Sequence, residues 1–569
     1  MKYGIMVVAR AFVVCVVIAT AGLLSGETVA GQAEKPLMAT REIVVEKRFL
    51  HLPVQNGSRP RQVDLIVDGQ TVRYFTIEAA DGETVDWWAS FDISAWEGRK
   101  LIVSHKTVPG SKFLERVMQG DVLNNADATI YREPLRPLIH VSPRRGFNND
   151  PNGLVFYNGE YHLFYQLNPT GLSMGNQHWG HAVSRDLVRW EHLPIALHKD
   201  QTGSMYSGSA VVDWNNTSGF GKDGKPPLVL IYTGTRVGQC LAWSLDGRAF
   251  TKYEKNPALP TIAPGNRDPK VFWHEPTKRW VMVLYVGLPE AKKNLHFFTS
   301  PNLKEWEMTS RIEGFFECPD FFPLAVDGAP RQTKWLLTGA DSNYMLGSFD
   351  GRTFTPETTM LKGHRGAGFY AAQSFNDLPA TDGRRISMGW LKAPAPGMPF
   401  TQAISVPLNL TLLGTPDGPR LSFLPVKELA QLRRESCRAE NLALQPGVAD
   451  PLAKAPRAEA LEVRVEFEPS ADAEVELTVR GVRIRYADGK LTVNDLRADA
   501  PLRQGRQRLV VLADRTCFEV FAGDGLCYVP LPVIAAPEAQ AASLTVTRGS
   551  AKIAVAEVHT LRSIWEKGR

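Results

Sequence analysis

Four copies of one short pattern restrict the folds open to this chain more than any other feature. Ser184–Trp190, Ser244–Phe250, Ser300–Trp306 and Ser348–Phe354 all read Ser-x-Asp/Asn-Leu/Gly-x-x-aromatic, and they recur every 48 to 60 residues. Each follows a short apolar run and sets turn-forming Asp, Asn or Gly ahead of an aromatic, the order of strand, hairpin turn and strand. Repeats of this length built only from strands mark β-propeller blades. A fifth unit follows in the strand-like runs 369–375, 386–391 and 404–412, which lack the Ser-Asp turn, as a terminal unit does. The fold class read here is therefore all-β, with a five-bladed propeller over residues 138–412.

The register of acids within the repeat points to chemistry. Asp150 lies 34 residues before Ser184, Asp268 lies 32 before Ser300, and Glu317 lies 31 before Ser348. If that shared place is the innermost strand, the three carboxylates converge on the central channel. Each also stands beside proline, in Asp150-Pro151, Asp268-Pro269 and Glu317-Cys318-Pro319. Any one of them alone reads equally well as a β-turn or strand-entry acid; three in register point to a site.

A chain of 569 residues exceeds one ordinary domain. Strand-like runs and turns over 41–131 predict a small N-terminal all-β accessory domain, where Trp87-Trp88 serves either sugar stacking or plain core and rim packing. Residues 413–435 read as a linker with a short helix near 427–433, and 436–569 as a C-terminal β-sandwich. The formal charge of +5, without any Lys/Arg run, gives no reason to expect a nucleic-acid partner.

Residues 1–30 have the layout of a cleaved secretory signal: Lys2 and Arg10, an apolar run over 11–24, then small residues up to Ala30. A secreted or periplasmic protein with no membrane span in the mature chain is expected. Removing Cys15 with the signal leaves five cysteines, an odd number, so the fold cannot depend on a disulfide framework. Cys517 and Cys527 either bridge a hairpin or stay as separately buried thiols, the second being expected. No cysteine spacing resembles a zinc site.

Five ordered motifs carry a family resemblance: 149–153 (Asn-Asp-Pro-Asn-Gly), 206–209 (Tyr-Ser-Gly-Ser), 267–269 (Arg-Asp-Pro), 317–319 (Glu-Cys-Pro) and 369–373 (Phe-Tyr-Ala-Ala-Gln). Together they resemble glycoside hydrolase family 32, which contains invertases, inulinases and levanases. The resemblance runs from about residue 138 to the C-terminus and implies a five-bladed propeller followed by a β-sandwich. It implies Asp150 as nucleophile, Glu317 as acid/base and Asp268 as stabiliser of the transition state through the sugar hydroxyls. Retaining hydrolysis needs the first two carboxyls about 5–5.5 Å apart, one ionised and one protonated, and mutual repulsion can separate their pKa values.

The same resemblance places Asn149, Gln166, Trp179, Tyr206 and Ser207 at the fructose-binding subsite. Arg267 is read as holding a hydroxyl and keeping an acid ionised, or as a structural ion pair, and Trp390 serves either the core or the subsite. The implied substrate is a fructan, a fructooligosaccharide or sucrose, and the chemistry calls for no metal or cofactor. One departure stands at Phe147, where the family usually has Trp: the apolar wall stays but the indole N–H is lost. A fructosyltransferase or an endo-acting fructanase fits the same scaffold, and a non-catalytic fructan-binding protein fits less well because no acid is missing.

Overall fold

The computed structural model describes residues 37–123, 130–288 and 293–566. The segment read as a signal peptide, 1–30, lies outside the described residues. Regular structure among the described residues is almost entirely strand.

Near the N-terminus a four-stranded sheet, in the order Met38–Val44, Lys100–Lys106, Pro60–Val67 and Gln70–Glu78, faces a three-stranded one of Trp87–Asp92, Phe49–Val54 and Met118–Gly120. Their period-2 alternation puts Val63, Leu65, Leu50, Leu52, Phe75 and Phe91 into one core. The same alternation splits the tryptophan pair. Trp87 is buried and donates from Nε1 to Asn56 Oδ1, while Trp88 is half-buried on the other face.

The middle of the chain is organised around five strands: β1 (Gly146–Tyr157), β2 (Met205–Val212), β3 (Arg267–His274), β4 (Asp320–Val326) and β5 (Phe369–Ser374). β1 to β4 each begin an antiparallel four-stranded meander that runs outward, ending in a strand of two or three residues except in the β3 unit. The units that start at β4 and β5 share one nine-stranded sheet, joined where Val326 pairs with Leu412 in parallel.

The Ser-x-Asp/Asn repeat makes the outermost hairpin of the first four units. Asp186, Asp246, Asn302 and Asp350 each accept two backbone N–H bonds from residues two and three ahead. The Leu/Gly position has a left-handed backbone in all four, with φ of 64° at Leu187, 67° at Gly247, 65° at Leu303 and 96° at Gly351. Glycine takes that conformation without strain; at the two leucines burial compensates, since Leu187 and Leu303 are almost wholly inaccessible.

Buried polar groups link the five strands to one another. Ser209 on β2 donates to the Pro269 carbonyl and accepts from the Val271 amide of β3. Lys270 on β3 pairs with Asp320 on β4 at 2.9 Å, both almost wholly buried, and Asp320 accepts from the Ser374 amide of β5. The Asn376 amide, just after β5, donates to Leu154 of β1, and Asn376 Nδ2 donates to Ala210 of β2. A buried ion pair survives here because each partner keeps additional hydrogen bonds.

Residues 427–432 form a 3-10 helix that buries Leu429 and Leu432. Beyond it a six-stranded and a five-stranded antiparallel sheet enclose the last apolar core. Cys240, Cys318, Cys437, Cys517 and Cys527 are all free thiols, so the Cys517 and Cys527 pair is not bridged.

Candidate active site

Four of the five central strands shift register at the motifs. Register shifts fall between Asn148 and Pro151 on β1, Tyr206 and Gly208 on β2, Arg267 and Lys270 on β3, and Tyr370 and Gln373 on β5. Ahead of β4 the backbone turns left-handed at Glu317 (φ 34°) and Cys318 (φ 42°), and Asp268 and Ala371 adopt φ of 64° and 51°. Bulges of this kind re-aim side chains that a regular pleat would send into neighbouring sheets.

The result is one cluster of three carboxyls. Asp150 Oδ2 accepts from Ser207 Oγ at 2.7 Å, and Oδ1 accepts from Asn149 Nδ2 at 3.0 Å. Asp268 is 3% exposed; its Oδ2 accepts from the Cys318 amide at 3.0 Å, and its own amide donates to Thr233 Oγ1. The Cys318 thiol stands between the two aspartates, 3.6 Å from Asp150 Oδ2 and 3.4 Å from Asp268 Oδ2. Glu317 Oε2 accepts from Arg267 Nε at 2.9 Å and Nη2 at 2.6 Å, while Oε1 accepts from the Tyr370 hydroxyl at 2.7 Å. Arg267 also lies 3.6 Å from Asp268 Oδ2 and stacks on Tyr285, so it links two of the three acids.

The electrostatics follow from burial and crowding. Burial pushes the Asp268 carboxyl up to about 7; the charges of Glu317 and Asp150 add to the rise, and Arg267 opposes it. Burial also raises Asp150, against the lowering effect of the hydroxyl of Ser207 and the amide of Asn149. Burial, then the neighbouring Asp268 and Asp150 charges, push the Cys318 thiol well up, so it stays an S–H. Burial and the Glu317 carboxylate hold the Tyr370 hydroxyl well above its ordinary range, which keeps its proton available to Oε1. Burial works to lower the Arg267 guanidinium, but Asp268 and Glu317 outweigh it and it remains a cation. Both aspartates are thus raised, with burial as the first cause and the charges of the neighbouring carboxylates adding to it.

The other residues singled out in the sequence divide into two groups. Asn149, Ser207 and Arg267 bond directly to the carboxyls, and Tyr206 is exposed beside Ser207. Trp390 is half-buried, donates from Nε1 to Gln402 Oε1, and packs edge-on against Phe147 and Tyr370. Gln166 is 2% exposed and donates to the Met205 carbonyl. Trp179 is the correction. Its ring is wholly buried between Phe164 and Tyr232, beneath Gly153, and its Nε1 donates to the Tyr206 carbonyl. A direct sugar contact is closed to it; it supports the strand that carries Tyr206 and Ser207. Gly153 belongs to the same packing, since a Cβ there would lie 2.9 Å from Phe164 and 3.1 Å from Trp179.

Sequence reasoning gave no role to Tyr370, Cys318 or Thr233. The first two sit inside quoted motifs, so the signal was present; Thr233 lies in a plain apolar strand and had none.

The chain matches the model of the glycosyl hydrolases family 32 N-terminal domain over residues 140–422. A levanase of Bacillus subtilis is 38% identical over 500 residues, covering 77% of this chain and 72% of the relative. An extracellular exo-inulinase of Aspergillus ficuum is 32% identical over 526 residues, covering 77% of this chain and 97% of the relative. Among solved structures, an exo-inulinase from Aspergillus awamori superposes with a TM-score of 0.68 at 29% identity, covering 76% of this chain and 100% of its own.

Proposed function

The chain belongs to glycosyl hydrolase family 32 and is a glycoside hydrolase of the β-fructosidase type, and from that premise we propose a retaining β-fructofuranosidase that removes terminal fructosyl units from levan or inulin, and from sucrose. The observation that carries the reading is the linkage of Asp150, Asp268 and Glu317 through Cys318 and Arg267 at the shared end of the central strands.

In this reading an oxygen of Asp150 attacks C2 of the fructosyl unit as Glu317 gives a proton to the departing glycosidic oxygen, leaving a covalent fructosyl-Asp150 ester. Glu317 then takes a proton from water, whose oxygen attacks C2 and returns Asp150 as a carboxylate. Asp268 grips the sugar hydroxyls as positive charge spreads over the ring, an interaction stronger in the transition state than in the ground state. Ser207 and Asn149 fix the Asp150 carboxylate in the attacking orientation. Tyr370 and Arg267 hold the two Glu317 oxygens in place while its proton comes and goes.

The five central strands and their meanders support a five-bladed propeller, the last core a β-sandwich, and the N-terminal pair of sheets an accessory domain. Secretion through the segment 1–30 accords with the extracellular exo-inulinase relative.

Product analysis of the purified chain on levan, inulin and sucrose, run beside Glu317→Ala, tests the assignment. Fructose alone from the parent, with release collapsing by about 10³-fold or more in the variant, supports exo-hydrolysis. Oligosaccharide products replace it with endo-cleavage or transfer, and an unchanged variant removes Glu317 from the chemistry.

A further inference from the structure

The active-site cluster occupies the starting ends of β1 to β5. Toward the opposite ends of β2, β3 and β5 lies a cavity of about 560 Å³, walled by Trp214, Phe272, Trp273, Trp335, Asp377 and Arg385. β3 runs from Arg267 in the first site to His274 at the second, so the two are separated by roughly 20 Å at the rise of a strand. The catalytic proposal uses none of the second group.

Trp214 is its most unusual member. It is 62% exposed, yet its position is fixed: Nε1 donates to Asp377 Oδ1 at 2.9 Å, while Asp377 Oδ2 accepts from the Val212 amide at 2.8 Å. The loop that follows is equally tied down, because Asp213 accepts from the Thr217 and Ser218 amides. An indole held rigidly with a free face is the reverse of what folding alone favours for so large an apolar group. Its neighbours are also oriented. Trp273 donates from Nε1 to Glu275 Oε2, whereas the Trp335 indole N–H meets no acceptor among the described residues although its ring packs on Phe321 and Phe349.

A wall that combines aromatic faces with carboxylates, a guanidinium and a free N–H does not suit a purely apolar ligand, which would strand the polar groups. It suits a sugar, whose C–H face stacks on an aromatic ring while its hydroxyls reach the polar groups at the edge. We propose that this far end of the central strands is a second carbohydrate-binding site, with Trp214 as the stacking platform for a fructosyl residue of a polymeric substrate. The identity of that sugar rests on the fructan reading above; the platform itself does not. A polymer held at both ends of the strands dissociates less often than one held at the catalytic end alone, so the site favours long chains over short ones.

Affinity electrophoresis in native gels containing levan, inulin or dextran tests this, with Glu317→Ala as the parent so that the polymer is not consumed, and Trp214→Ala or Trp335→Ala added to it. Retardation by levan or inulin, weakened about three- to tenfold by Trp214→Ala, is expected, the size of one lost aromatic contact. With Glu317 restored, Trp214→Ala should raise KM for the polymer by a similar factor and leave kcat/KM for sucrose unchanged, which also shows that the variant is folded. Equal retardation of Trp214→Ala and its parent overturns the proposal, as does equal retardation by dextran, or self-association that Trp214→Ala abolishes without any change in retardation. Sucrose hydrolysis by the unmodified chain scores the catalytic reading separately, so failure of one is distinguishable from failure of the other.

Discussion

The Tyr370 hydroxyl donates to Glu317 Oε1 at 2.7 Å from a different strand unit than the one that carries Glu317. With Arg267 on Oε2, this leaves the proposed acid/base little rotational freedom, and the left-handed backbone at Glu317 adds to the restraint. Tyr370→Phe keeps the ring against Trp390 and removes only the donor. The expected outcome is a fall of about 10- to 100-fold in kcat with KM changed less than about threefold, read from initial rates on sucrose.

Arg267 performs a task that lysine cannot copy. Its Nε and Nη2 grip one Glu317 oxygen, Nη1 donates to the Gly265 carbonyl, and its charge lies 3.6 Å from Asp268. A single ammonium retains the charge but not the fork. Arg267→Lys should therefore lose about 10²- to 10³-fold in kcat/KM while unfolding at nearly the parent temperature, and recovery of most of the activity would show that charge alone suffices.

Asp268 predicts a trade between stability and activity. Its folded pKa of about 7 lies above the ordinary carboxylate value of 3.8, so the folded state holds the proton more tightly than the unfolded one. The stability associated with that proton is complete below about pH 4 and is lost as pH rises through about 7. Asp268→Asn removes the buried charge, and thermal unfolding should show the variant about 2–4 °C more stable than the parent at pH 8, with the gap closing toward pH 4. Activity should fall by at least about 10³-fold. A variant less stable at pH 8 would mean that the ion pair to Arg267 outweighs the burial of the charge.

The acids were legible because proline neighbours and a similar distance, 31 to 34 residues, to the Ser-Asp/Asn hairpins mark them even in a linear chain. The hairpins were legible because a left-handed turn needs Gly, or a buried Leu with an Asx cap, at a fixed place. Trp179 was misread for a physical reason: strands 160–168 and 178–184 are buried on almost every residue, so alternation does not reveal which face meets the channel. Tyr370 was passed over because these sheets are full of packed aromatics, and its hydroxyl acquires a role only when two distant strands meet. Trp214 gave no signal at all, since an exposed tryptophan in a loop looks the same in sequence as a buried one.

His140 tests how the last two sheets are held to the rest of the chain. Its imidazole is wholly buried, with Nδ1 2.8 Å from Asp514 Oδ2 and Nε2 3.2 Å from Glu519 Oε2. Asp514 also accepts from the Leu138 and Ile139 amides, the Cys517 thiol lies 3.4 Å from Nδ1, and the Tyr528 hydroxyl donates to Glu519 Oε1. Burial alone would lower the imidazole, but Cys517, Asp514 and Glu519 outweigh it and raise it well above 6.5. A raised folded pKa gives stability that is fully present below about pH 6.5 and fades as pH climbs through the folded value. His140→Gln leaves Asp514 and Glu519 facing each other without a cation, and should cost about 3–5 kcal/mol at pH 6 in urea unfolding. At pH 9 the deficit should be smaller, because above about pH 6.5 the parent must take up a proton to fold while the variant need not. An equal deficit at both pH values would instead assign His140 to packing as a neutral ring.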